Sequence, residues 1–158
     1  MKNVINKVIG LLFFVSVSVN AEQSVENLSD EVRGLLQKEM IAIDAAMKRI
    51  VSANAAGDTQ QVALIANQIK NSFILKSNLT QHQKHELHTK LPKDFLDKDS
   101  DFHYLAGMLA HVAENKKLEL IPFYYSKLFE ACSGCHQKHA THKFPKFLVE
   151  DDKKSHEH

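Results

Sequence analysis

Apolar residues along this chain recur in steps of three and four, and four stretches sustain the repeat long enough to predict helices. The first begins at Ser29 or Asp30, either a good cap, and runs to about residue 54. Its stripe is Val32, Leu35, Leu36, Met40, Ile43, Met47, Ile50 and Val51. Gly57 is placed to end it. Asp58 or Thr59 can cap the second helix, whose inner face is Val62, Ile65, Ala66, Ile69 and Phe73. A polar stretch over residues 77–100 contains Pro92 and one short helix around 82–90. A third long helix is expected to start near Ser100 and to bury Phe102, Leu105, Leu109 and Val112, with Asn115-Lys116-Lys117 as its break. The fourth covers about 118–139, with Tyr124, Leu128, Ala131, Cys132 and Cys135 facing inward. Pro122 is tolerated in its first turn, where a missing N–H costs least, and should kink the helix if that begins at Leu118. Four amphipathic helices with short connections predict an all-α chain folded as an antiparallel four-helix bundle.

Composition agrees, with only five glycines and three prolines in 158 residues. The N-terminus reads as a secretory signal peptide over residues 1–21. Lys2 and Lys7 form a positive start, 8–19 an apolar run, and Val19-Asn20-Ala21 a small-x-small cleavage site. The apolar run is about a dozen residues, short of the roughly 20 that a spanning helix needs. No second such run follows. The expected mature chain starts at Glu22, is exported to the periplasm and has no membrane span. Residues 22–149 form one domain, and 150–158 read as a charged, solvated tail. Removing Lys2 and Lys7 from the 20 basic residues leaves 18 against 19 acidic ones. That near-neutral balance argues against a nucleic-acid partner, which calls for a strongly basic patch.

The chemistry concentrates at Cys132-Ser133-Gly134-Cys135-His136, a C-x-x-C-H run of the kind that attaches a c-type haem. On a helix, thiols three residues apart share a face, so each can form a thioether with one vinyl group of a haem edge. His136 lies one turn beyond Cys132 and can reach the iron. These are also the only two cysteines. A disulfide or a thioredoxin-like redox pair would suit an oxidising compartment but leaves His136 unexplained. A structural zinc site needs four donors with characteristic spacing.

Helix pattern and motif position together resemble the class II cytochromes c, meaning cytochrome c′ and its low-spin, methionine-ligated relatives. The Met-bearing first helix, the four-helix count and C-x-x-C-H on the last helix carry the resemblance, which spans nearly the whole mature chain. It implies a bundle with one covalent haem c on its last helix, held by Cys132 and Cys135, with His136 as proximal iron ligand. It further implies that the first helix supplies the distal face of the iron. Met40 is the candidate distal ligand, with Met47 one heptad on as the lesser candidate and core filling as the bland alternative for both. Leu36 would cap the iron if Met40 does not bind it. The chain departs from cytochrome c′ after the motif. An aromatic and then a basic residue often stand three and four places beyond the haem histidine in that family, where this chain has His139 and Ala140. Phe144 and Phe147, further on, read as packing back on the bundle or on a haem edge. Many of the look-alikes pair as homodimers through their first two helices, a partner left open here.

The other histidines have plainer readings. His82, His85 and His88 step by three, so adjacent pairs could chelate a metal, but in a polar segment they are solvated more often than not. His103 and His111 offer a bis-histidine alternative to methionine ligation. His156 and His158 in the tail could bind metal adventitiously. Tyr124 and Tyr125 are core residues or hydrogen-bond donors to a haem propionate. Two functions follow from the resemblance. One is a periplasmic monohaem carrier passing single electrons between redox partner proteins, with no catalytic residue. The other is a five-coordinate haem protein that binds NO or CO. A peroxidase ranks third, because no distal acid–base pair is identifiable.

Overall fold

The computed structural model of the protein describes residues 23–75 and 79–147. The expected signal peptide, the Glu22 start and the charged tail lie outside them. The described residues are all-helical, with five α-helices and three short 3-10 turns and no strand among them. The helices are α1 (Asp30–Ala55), α2 (Thr59–Lys70), α3 (Gln81–Lys90), α4 (Lys93–Glu114) and α5 (Ile121–His139). No helix of the described residues is long and apolar enough to cross a membrane.

Local chemistry sets the ends. Ser29 caps α1 by accepting from the Val32 amide, and Asp30 and Glu31 place negative charge at the positive end of the helix dipole. At its far end Gly57 takes φ +73, while the Gly57 and Asp58 amides reach back to the Asn54 and Ala53 carbonyls. That pair of bonds is a Schellman stop, and it needs a left-handed residue where only glycine is unstrained. Asp58 then caps α2 through the Gln61 amide at 2.9 Å. The same stop ends α4 at Asn115, this time with Lys116 in the left-handed position at φ +53.

Two expected boundaries move. The third long helix starts at Lys93, directly after Pro92, and not near Ser100. Pro92 is its cap, and the added turns bring Phe95 and Leu96 against Leu91 and the α1 residues Val32 and Leu36. The fourth begins at Ile121, after a 3-10 turn over Leu118–Leu120, so Pro122 sits in the first turn, where its missing N–H costs least. Of the expected stripes, Val51 is exposed, Leu35 and Leu105 are only half-buried, and Phe73 lies beyond the end of α2 at Lys70 and is half-buried, while the other expected core positions of α2 and α4 are buried.

Burial divides the interior in two. The larger cluster joins Ile43, Met47 and Ile50 of α1 to Val62, Ile65 and Ile69 of α2, Phe102 and Leu109 of α4, and Ile121 and Leu128 of α5. A smaller one gathers Leu28, Val32, Leu36 and Leu91. Met40 packs against both, so it lies where α1 passes from one cluster to the other.

Polar groups fasten the short α3 and the turn that leads to it. Gln83 and Glu86 are buried; Gln83 donates to Glu31, and Glu86 accepts from the Ser29 amide and hydroxyl. One turn from the cavity described below, Glu39 is 1% exposed, a charge no apolar stripe anticipates. Its carboxylate accepts from the Ser72 hydroxyl at 2.8 Å and from the Phe73 and Ile74 amides at 2.9 and 2.6 Å. Removing an acceptor from buried donors costs about 1–3 kcal/mol for each group left wanting. Glu39→Ala is therefore expected to lower stability by roughly 3 kcal/mol, and Glu39→Gln by less. Urea unfolding checks it as a fall in midpoint at unchanged slope.

Candidate functional site

An apolar cavity of about 500 Å³ opens between α1, α4 and α5 at the junction of the two clusters. Ligand pockets span roughly 300–1,000 Å³ and are mostly apolar with a few placed polar groups, so both size and lining suit an organic cofactor. Its lining includes Arg33 near the start of α1, Phe95 near the start of α4, and His139 at the end of α5.

Helix α5 supplies Ala131, Cys132, Cys135 and His136 to one wall. Because Leu128 locks α5 into the larger cluster at 0% exposure, the positions four and seven residues on from it keep the same face and open onto the cavity. The two thiols are free. Burial, and after it the neighbouring Cys135, pushes the Cys132 thiol up to about 11, and burial raises Cys135 as well. Both therefore carry their protons at neutral pH. Burial pulls His136 below the usual imidazole range, which keeps its ring neutral and its lone pair available.

The facing wall comes from α1 through Leu36, Gln37, Met40, Ile41 and Ile43. Met40 is half-buried and lines the cavity, whereas Met47, 8% exposed, belongs to the core and does not line it. Of the two methionines only Met40, the preferred candidate, lines the cavity, and Leu36 shares its wall.

The alternative histidines are placed elsewhere. His103 is buried with its Nδ1 2.7 Å from the Ile69 carbonyl and lines a second, smaller cavity of about 270 Å³ instead. His111 is exposed and pairs with Asn115 near the other end of α4. Neither lines the large cavity. His82, His85 and His88 are exposed on α3, and among the described residues no three His, Cys, Asp or Glu side chains are grouped to hold a metal ion. Cys132, Cys135 and His136 share a wall of the large cavity without being grouped in that way. Tyr124 and Tyr125 pack against the larger cluster, not the cavity.

Several wall residues were not legible as site residues. On α4, Phe95, Lys98 and Asp99 line the cavity together with Phe102. The seven-residue step from Phe95 to Phe102 could have revealed them, since it extends the stripe across the segment read as loop. His139 lines the cavity and meets Asp94 at 2.9 Å; Lys138 meets the same carboxylate at 3.0 Å. Those two partners hold the Asp94 carboxyl below the usual range and tie the end of α5 to the start of α4. Phe144 folds back onto the site, its ring stacked on His136.

No family model matches the chain, nor does any curated protein or solved structure at the similarity sought.

Proposed function

We propose that this chain is a periplasmic monohaem c-type cytochrome of the class II kind, carrying single electrons between redox partner proteins. The observation that carries the reading is the cavity itself. One apolar space has Cys132, Cys135 and His136 on one wall and Met40 on the other. In this reading the four long helices act as an antiparallel four-helix bundle and residues 1–21 as its cleaved signal peptide.

The residues fit a haem in kind. Each thiol can add its S–H across one vinyl C=C, leaving a thioether with no atom lost, and a neutral His136 can donate its lone pair to iron. Arg33, Lys98 and Lys143 stand on the cavity lining to meet two propionates. The bound haem would supply a one-electron iron couple; the chain's part is to exclude water, fix the ring and hold the axial donors. A thioether from Met40 would favour Fe(II) and keep coordination constant in both oxidation states, which suits electron transfer.

The second reading is a five-coordinate protein binding NO or CO, and Leu36 favours it. Leu36 is 7% exposed on the same wall as Met40, an apolar cap for an open site. Optical and EPR spectra of the oxidised and reduced protein from the periplasmic fraction decide between them. A low-spin ferric haem that cycles reversibly with one electron is expected. A high-spin ferric haem would favour the gas binder, and a purified protein without haem would defeat both.

A further inference from the structure

After α5 the backbone reverses, with the Lys143 and Phe144 amides both donating to the Ala140 carbonyl at 2.9 and 3.0 Å, before the 3-10 turn Pro145–Phe147. This brings Phe144 back over His136, with ring centroids 4.3 Å apart and planes 13° from parallel. Histidines that ligate metals usually have their other ring nitrogen held by a carboxylate or carbonyl, which fixes how the ring is turned. Among the described residues His136 has no such hydrogen bond, and the Phe144 ring lies stacked on its face.

From this geometry we propose that Phe144 is a positioning residue for His136, setting the plane of the axial imidazole in place of the usual hydrogen bond. The proposal rests on the reading of His136 as the iron ligand. The backbone of α5 limits His136 to a few rotamers about Cα–Cβ, and within one of them rotation about Cβ–Cγ turns the ring. A flat neighbour at stacking distance admits a narrow range of that angle. The angle matters because the orientation of an axial imidazole selects which iron d orbital overlaps its π system, and so sets the magnetic anisotropy of the ferric haem.

The test uses the purified haem protein and reads its ferric EPR anisotropy and haem-methyl NMR shifts. Phe144→Leu keeps apolar bulk but removes the flat ring. It is expected to turn one EPR species into a broadened or multiple set and to rearrange the methyl pattern. Phe144→Tyr should retain the wild-type pattern. So should Phe147→Leu, which alters the same turn without touching the stack. Phe144→Met gives the same comparison with a flexible side chain if the leucine variant does not accumulate. Covalent haem whose EPR and methyl patterns ignore both Phe144→Leu and Phe144→Met overturns the proposal alone. Wild-type protein lacking covalent haem overturns the ligand reading and the proposal with it.

Discussion

Protein produced with the c-type maturation machinery is expected to keep its haem through acid–acetone extraction and denaturing gels, and the Cys132→Ala/Cys135→Ala double variant to keep none. The expectation follows from covalency. Two thioethers survive conditions that break axial coordination, and the single cysteine variants retain at most one of them. His136→Ala leaves both thiols and so can retain stained haem, but with its strong proximal ligand gone and its spectrum changed. The three residues therefore separate into attachment and ligation by two different readouts. Burial adds a consequence for timing. A Cys132 thiol raised from 9.0 to about 11 has roughly a hundredfold less thiolate at neutral pH, and the thiolate is the nucleophile. In the folded, haem-free chain Cys132 should thus react with iodoacetamide more slowly than in urea, with the rate rising as pH climbs toward 11. Attachment before the helices close would avoid that barrier. Haem that extracts freely from the wild type would falsify the central claim.

Met40→Ala is expected to convert a low-spin ferric haem to high spin, speed CO binding and lower the reduction potential. The potential falls because a thioether prefers Fe(II), and its loss removes that preference. CO binding quickens because no ligand has to leave first. Met47→Ala is the matched control. Met47 is one heptad further along α1, 8% exposed and packed in the larger cluster, so its truncation creates a core cavity. Such truncations cost about 2–5 kcal/mol. That variant should therefore melt earlier with an unchanged spectrum, while Met40→Ala should change the spectrum with a smaller loss of stability. A wild type that is already high-spin, with fast CO uptake, would assign the distal face to Leu36 and the function to gas binding.

Much was legible in the sequence because it depended on near neighbours. The span of α1, the start of α2, the caps at Ser29 and Asp58 and the glycine stop at Gly57 all come from residues within a turn or two of each other. The spacing of Cys132, Cys135 and His136 places them on one face of any helix, whatever packs against it. What the chain could not announce was contact between distant segments. The start of α4 was hidden because a run of polar residues masks Phe95 and Leu96, whose partners Val32, Leu36 and Leu91 lie elsewhere in the sequence. Glu39 looked like one more surface charge, and only the Ser72–Ile74 turn 33 to 35 residues away makes it a buried acceptor. Both methionines stood on the stripe, with Met40 the preferred candidate. Met40 lines the cavity and Met47 does not because two separate clusters meet beside Met40, a feature of packing with no period of its own. The return of Phe144 onto His136 is of the same kind, set by a turn that closes on the Ala140 carbonyl. Local periodicity thus determined which residues could serve a haem, and the junction between the two packed clusters decided which of them face the same space.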